Sequence, residues 1–328
     1  MPLPQLLICD QFSSQAQGLL TSSGALQLQR ACGLQPSSEE LRETEYLIVR
    51  SRTLVNRQLL DQAPRLRLVV TCTSGFDHID LKLCQERGVQ VAYTPESNVQ
   101  AVAELTLSLM VQLLRRLPRA QKVVEGFEWR SALPRGQCLK GKELGLVGLG
   151  RIGSRVAELA RAYQMKLWAY DPYVSNEHFE GLGVERLGLS ELLRQADIVS
   201  LHVPLTKETR HLINNHTLSA INPEAFLINT ARGALVDEND LADALGRGLL
   251  QGVALDVFAK EPLPKDSKLR TFDRLVLTPH MGAYCEEAFQ DASMEAARSL
   301  LHFVESGQAH NPLPPQAPWA EQLLSPSC

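Results

Sequence analysis

Paired cysteines, an excess of either charge and long apolar runs are all missing from this chain of 328 residues, and each absence excludes a class of protein. The seven cysteines (Cys9, Cys32, Cys72, Cys84, Cys138, Cys285, Cys328) are odd in number and scattered, with no Cys-x-x-Cys or Cys/His spacing. Neither a disulfide framework nor a structural zinc site is expected, and a reducing, cytoplasmic setting fits. The balance of 33 Lys+Arg against 37 Asp+Glu leaves a net charge of -4. That supplies no basic footprint for nucleic acid and no acidic tail. The longest apolar helical stretch, residues 101–114, is interrupted by Glu104 and Gln112, and the opening MPLPQLLICDQF has no positive segment ahead of a long apolar core. No export segment, membrane span or membrane partner is expected. What is present is a 44% share of apolar residues, enough for separate cores in the roughly two domains that this length suggests at about 150 residues each. Small-molecule chemistry is the leading class.

Short apolar runs (LLIC, YLIV, LRLVVTC, VQVAY) alternate with helix-length segments such as 56–61 and 78–87, the pattern of βα units on a parallel sheet. A long helical pattern from Val99 to Leu117, stopped by Pro118, leads into an irregular stretch up to Gly141, and a domain crossover is expected near 96–100. A second series follows with six strand-like runs: ELGLVGLG, KLWAYD, DIVSLHVP, AFLINTA, GVALDVF and RLVLTPH. Six parallel strands make a complete dinucleotide-binding domain. A final helix, about Tyr284 to Ser306, is too long to be a connector. If it returns to the first domain, that domain is discontinuous and the chain crosses twice, leaving a cleft with two hinges. The Pro-rich end, NPLPPQAPWAEQLLSPSC, reads as an extended tail.

Gly148-Leu149-Gly150-Arg151-Ile152-Gly153 stands between an apolar strand and a helix running through Ser154 to Tyr163. Gly148 suits a tight turn, Gly150 lets the backbone approach a pyrophosphate, and Gly153 allows close helix–strand packing. The phosphate oxygens then meet free N–H groups at the helix start. Glycines in turns produce this pattern by chance. Here strand, glycines and helix come in order, and the next strand ends in Asp171, 18 residues after Gly153. A carboxylate there accepts hydrogen bonds from ribose hydroxyls and repels a 2′-phosphate, which favours NAD over NADP. Asp171 reads equally well as a turn residue ahead of Pro172.

Three later strands end in polar side chains: Arg232 in INTARGALVD, Asp256 and Glu261 in ALDVFAKEPLP, and His280 in LTPHMGA. Carboxyl ends of strands face the ligand crevice in an open α/β sheet. Each residue alone has an ordinary reading, as a solvated Arg, a capping His or a loop Glu beside Pro262. Together they match the needs of 2-oxo acid reduction: an anchor for carboxylate and carbonyl, a proton donor, and a carboxylate that stabilises the imidazolium and fixes its ring. Glu261 is expected to pair with His280.

In the order GLGRIG, YDP, VPLTKETRHLIN, NTARGALVDENDL, ALDVFAKEPLP and TPHMGA, from about Tyr46 to Ala288, the chain resembles the D-isomer-specific 2-hydroxyacid dehydrogenase family. The resemblance implies an α/β fold of two domains with parallel sheets flanked by helices. A flavodoxin-like substrate domain (1–98 and 285–328) would be completed by the C-terminal helix, with a Rossmann-like NAD domain (99–284) inserted. Arg232 would bind the substrate carboxylate and carbonyl, His280 would be the acid/base and Glu261 its partner. Gly148, Gly150, Arg151, Ile152, Gly153, Asp171, Val203, Thr230, Ala231, Asp256 and Gly282 would hold NAD. Glu261 disfavours a formate dehydrogenase, since those carry Gln at that place.

TCTSGFDHID resembles the loop whose amides cradle the substrate carboxylate, pointing to Ser74 and Gly75; it reads in parallel as a strand–helix turn with Gly75 at positive φ and Asp77 capping the next helix. YLIVRSRTLVN is similar to the VRSxTxV segment of 3-phosphoglycerate and erythronate-4-phosphate dehydrogenases, which makes Arg50, Ser51 and Arg52 candidates for a substrate phosphate or, in the plainer reading, surface residues at a strand terminus. Tyr284 departs from the PHLGAST of phosphoglycerate enzymes, and no regulatory domain is expected beyond the last helix. His78 and His202 read as structural, and Cys285 as incidental to His280. Trp129 falls where family members exchange an arm, so a homodimer through the coenzyme domain is expected. The reading is an oxidoreductase acting on a small anionic D-2-hydroxy acid such as 3-phosphoglycerate. A glyoxylate/hydroxypyruvate reductase and an NADH-responsive scaffold resembling the C-terminal-binding corepressors are its rivals.

Overall fold

In the computed structural model, which describes residues 3–323, the chain divides into two compact units. One combines the chain up to Asn98 with the chain from Ala283 onward; the other is Val99–Gly282. The first opens with β1 (Gln5–Ile8), α1 (Ser14–Ser22), β2 (Gln27–Arg30), α2 (Ser38–Leu41) and β3 (Thr44–Val49). It continues through α3 (Arg57–Gln62), β4 (Leu68–Thr71), α4 (Leu81–Glu86) and β5 (Gln90–Tyr93). The second unit runs α5 (Val99–Arg115), α6 (Leu117–Glu125), β6 (Glu143–Val147), α7 (Arg151–Ala162), β7 (Lys166–Tyr170), α8 (Asn176–Leu182) and β8 (Glu185–Arg186). Then come α9 (Leu189–Gln195), β9 (Ile198–Leu201), α10 (Asn215–Ala220), β10 (Phe226–Asn229), α11 (Glu238–Arg247), β11 (Gly252–Leu255) and β12 (Leu275–Leu277). The last helix, α12 (Glu286–Ser306), belongs to the first unit.

The first unit is a parallel sheet in the order β2-β1-β3-β4-β5. β4 is buried along its whole length because helices cover both faces, which is why three apolar residues, Leu68, Val69 and Val70, follow one another without alternation. On one face Leu6, Ile8, Tyr46, Ile48, Leu68 and Val70 pack against Ala16 and Leu20 of α1 and the Ala292, Ala296, Ala297, Leu300 and Phe303 stripe of α12. On the other, Leu47, Val69 and Val91 meet Leu59, Leu60 and Leu83 of α3 and α4. Ser13 caps α1 through its hydroxyl and donates its own N–H to Ser293 Oγ at 3.2 Å, fastening α12 to the unit. The tail lies along the free edge of β5, where Leu313 N–H donates to Val91 O at 2.8 Å and Tyr93 N–H to Asn311 O at 3.2 Å. Residues 324–328, the end of the expected tail, lie outside the described residues.

The second unit is a seven-stranded parallel sheet in the order β12-β11-β10-β9-β6-β7-β8. Chain order reverses between β6 and β9, so a crevice opens beyond their carboxyl ends, where GLGRIG stands. Six strands were expected. The seventh, β8, is two exposed residues at the edge, too short to show a period. Pro118 is no stop either. α5 ends because Arg116 turns left-handed at φ 52°, and Pro118 then sits in the first turn of α6, where its missing N–H costs nothing. No helix among the described residues is long and apolar enough to cross a membrane.

Candidate active site

The glycine loop follows β6 directly. Gly148 adopts φ 99°, open to glycine, and a Cβ on Gly153 would lie 2.1 Å from the Gly148 carbonyl oxygen. Gly150 is different: a Cβ there meets nothing within 4 Å. Chain geometry does not demand glycine at that point, and the open space is the kind of cradle that an approaching pyrophosphate needs. Gly150 is also the N-cap of α7, with no side chain capping the helix, so the positive end of the helix dipole faces the open space. Asp171 serves as a turn residue and also reaches the glycine loop. Its Oδ1 accepts the Tyr173 N–H at 2.9 Å, as a turn residue does, while Oδ2 accepts the Leu149 N–H at 2.9 Å and so borders the loop. These residues fit NAD. Behind them, burial pushes the His202 imidazole down to about 3, so it is neutral, and its Nε2 meets Ser200 Oγ at 2.9 Å.

Parallel pairing of Leu255 with Leu277 sets the residues after β11 beside those after β12. Asp256 is fully buried, and its carboxylate is spent on the chain itself: Oδ1 accepts from Thr278 Oγ1 at 2.6 Å and Met281 N–H at 2.8 Å, and Oδ2 from Gly282 N–H at 2.8 Å. That grip holds His280 at φ 52°, with its N–H donated to Asp256 O at 2.7 Å. His280 Nδ1 lies 2.6 Å from Glu261 Oε2, and Glu261 Oε1 accepts the Phe258 N–H at 3.0 Å. Partial burial pushes the Glu261 carboxyl up. Its hydrogen bonds to His280 and Phe258, with the charges of His280 and Arg232, outweigh that and hold it below the usual carboxylate range. With Nδ1 engaged, Nε2 is the His280 ring atom available for proton exchange. A cavity of about 500 Å³ adjoins the pair, lined by Phe258, Glu261, Leu263, Arg270, Leu277 and His280.

Arg232 follows β10, and its Nη1 donates to Ala231 O at 2.7 Å. Thr230 Oγ1 meets Thr106 Oγ1 at 2.9 Å, which ties the start of this turn to α5. Val203 and Ala231 are half-buried, and Gly282 is buried at the end of the Asp256 grip. The second unit thus carries Arg232, Glu261 and His280 close enough for the Arg232 charge to act on Glu261. Asn229 and Asp256 shape their turns. Asp256 was legible as a strand-end polar residue but Asn229 was not singled out, although it is the one polar residue in the buried run FLIN.

In the first unit the candidates sit at strand ends. Arg52 is bound by both Asp10 oxygens and is not a spare cation. Arg50 stacks over the Phe289 ring at 5.2 Å, with Nη1 buried and without a hydrogen-bond partner. Ser51 is exposed beside it. Ser74 and Gly75 lie in a loop braced by Thr73 Oγ1, which donates to Gly75 O at 2.6 Å, and by Thr71, whose Oγ1 meets His78 Nε2 at 3.0 Å. Two details differ from expectation. Gly75 is not at positive φ, because the Thr73 bond closes the turn without a left-handed residue. Asp80, and not Asp77, caps α4, since the helix starts only at Leu81 and Asp80 reaches the Leu83 N–H.

Residues 107–282 match the family described as D-isomer specific 2-hydroxyacid dehydrogenase, NAD binding domain. The chain is 36% identical over 308 residues to D-3-phosphoglycerate dehydrogenase of Methanocaldococcus jannaschii, covering 94% of this chain and 59% of the relative. It is 39% identical over 282 residues to glyoxylate reductase of Thermofilum pendens, covering 81% of each. Among solved structures, D-lactate dehydrogenase from Aquifex aeolicus, complexed with NAD and lactic acid, superposes with a TM-score of 0.80 at 31% identity, covering 92% of this chain and 95% of that one. The chain spans only 46–59% of the length of the D-3-phosphoglycerate dehydrogenases it matches first.

Two alanine substitutions separate cradle from fold. Gly153→Ala forces its Cβ into the Gly148 carbonyl and lowers stability by about 1–3 kcal/mol in a thermal melt. Gly150→Ala leaves most of the melting temperature but fills the open space, and NADH affinity by fluorescence titration falls about tenfold. Equal NADH binding by Gly150→Ala and the parent chain contradicts the cradle.

Proposed function

The chain belongs to the D-isomer specific 2-hydroxyacid dehydrogenase family, and from that premise we propose that it is an NAD-dependent dehydrogenase of small D-2-hydroxy acids, with His280 as its acid/base. The observation that carries this reading is the 2.6 Å contact between His280 Nδ1 and Glu261 Oε2, which leaves Nε2 for the substrate oxygen. When bound, NAD supplies or accepts the hydride at substrate C2. The GLGRIG backbone and the first turn of α7 would hold its pyrophosphate, and Asp171 would take the ribose hydroxyls. Arg232 binds the carboxylate and carbonyl and so orients C2. His280 Nε2 gives its proton to the carbonyl oxygen in reduction and takes one from the hydroxyl in oxidation. Glu261 stabilises the imidazolium and fixes the ring plane.

The second unit is then the NAD domain and the first the substrate domain, with Ser74 and Gly75 offering backbone amides to the acid. Arg50 argues for a phosphorylated substrate such as 3-phosphoglycerate: its Nη1 lacks a partner, while neighbouring Arg52 is neutralised by Asp10. The Methanocaldococcus relative agrees with that choice, and the Thermofilum relative favours glyoxylate as the alternative. The cysteines, scattered in sequence and free among the described residues, suit a cytoplasmic setting. The working unit is a homodimer joined through the second unit, where Phe127 and Trp129 are 99% and 69% exposed.

Mixing the purified chain with NADH or NADPH and 3-phosphohydroxypyruvate, hydroxypyruvate, glyoxylate or pyruvate tests the activity. NADH oxidation is expected with at least one acid, and His280→Ala slows it by on the order of 10²–10⁴ with NADH affinity retained. Arg50→Ala is expected to lower kcat/KM more for the phosphorylated acid than for the others; equal losses remove the phosphate role. Absence of turnover with every acid and both cofactors contradicts the enzyme reading and favours a scaffold. Sedimentation is expected to give a dimer mass that Trp129→Ser reduces to a monomer; a monomeric parent chain contradicts the assembly.

A further inference from the structure

We propose that Asn229 is a positioning residue for Arg232, an inference that rests on the reading of Arg232 as the substrate anchor. Asn229 ends β10, pairs on either side with Leu201 and Leu255, and has no exposed surface. An amide at such a place is costly unless its polar atoms are bonded. Both of its hydrogen bonds go to the turn that follows: Oδ1 accepts the Ala231 N–H at 3.0 Å, and Nδ2 donates to the Arg232 carbonyl at 2.8 Å. One flat group thereby fixes both ends of the Ala231–Arg232 segment, including the carbonyl at the base of the arginine. The Arg232 guanidinium then folds back onto the Ala231 carbonyl at 2.7 Å, so the clamp also sets the acceptor that aims the side chain.

The main chain extends this coupling. Asn229 O accepts the Asp256 N–H at 2.9 Å, linking the Arg232 turn to the residue that grips His280. On the far side of Arg232, a Cβ on Gly233 would lie 1.9 Å from the Phe258 carbonyl carbon, so the turn rests against the backbone whose N–H holds Glu261 Oε1. Thr230 is fixed separately through Thr106. Asn229 is therefore the side chain that sets Arg232 against Glu261 and His280 without itself touching substrate. A clamp acting through Arg232 should matter only while Arg232 is present.

The experiment is a double-mutant cycle read by calorimetric binding of oxalate, a two-carbon diacid that mimics the acid end of the substrate, to the NADH-saturated chain. Asn229→Ala and the isosteric Asn229→Asp are each expected to weaken oxalate about tenfold, with NADH affinity within twofold of the parent. In an Arg232→Ala background neither is expected to add a further loss. In the unmodified chain the Ala231 amide is expected to be protected from hydrogen exchange, a readout that does not depend on a variant folding. Parent-like oxalate affinity in Asn229→Asp beside a clear loss in Arg232→Ala overturns the inference and leaves the functional reading intact. Losses that multiply in the double variants, NADH binding that falls in parallel, or an unprotected Ala231 amide overturn it as well. Unchanged oxalate binding in Arg232→Ala overturns the role of Arg232 and the inference with it.

Discussion

The arrangement around His280 depends on one buried carboxylate. Asp256 accepts hydrogen bonds from Thr278, Met281 and Gly282 and, through its main-chain oxygen, from His280 itself. A non-glycine residue at φ 52° is disfavoured by roughly 1–2 kcal/mol, and hydrogen bonds of this number and quality are what offset it. The left-handed turn in exchange directs the imidazole to Glu261. Without that turn, the chain beyond β12 would carry the ring elsewhere, away from the Glu261 carboxylate held ready for it.

Parallel pairing explains why residues so distant in sequence collect in the second unit. β9, β10, β11 and β12 end on one side of the sheet, so Val203, Arg232, Asp256 and His280 all emerge there, next to the glycine loop that follows β6. The polar turns then secure one another: Asn229 holds the Arg232 turn, and the Phe258 amide holds Glu261. In the first unit the same rule places Arg50 after β3 and the Ser74–Gly75 loop after β4. The contrast between Arg50 and Arg52 is electrostatic. One arginine is matched to Asp10, and the other keeps an unpartnered nitrogen against an aromatic face.

Much of this was legible in the residues. GLGRIG was readable because strand, glycines and helix come in order with Asp171 after them, and Arg232, Glu261 and His280 were readable only as a set, each alone having an ordinary reading. The edge strands were not legible: β2 has little burial and β8 none, so neither shows an apolar period. The break at Arg116 was hidden because no glycine marks it, and Pro118 suits a helix start as well as a stop. Asp77 and Asp80 stand three apart ahead of the same helix, and only the position of its first turn decides between them. Asn229 escaped notice for a similar reason: sequence reveals a polar residue in a buried strand but not the direction in which its amide faces.

An NAD-dependent dehydrogenase of D-2-hydroxy acids would pass a hydride between the nicotinamide and substrate C2 while its own residues move the proton. The direct measurement is incubation with NADH carrying deuterium at both C4 positions and hydroxypyruvate or its phosphate, followed by mass and chiral analysis of the acid formed. One deuterium, located at C2, is expected in a product of D configuration. Product without deuterium at C2, or of L configuration, contradicts the dehydrogenase reading.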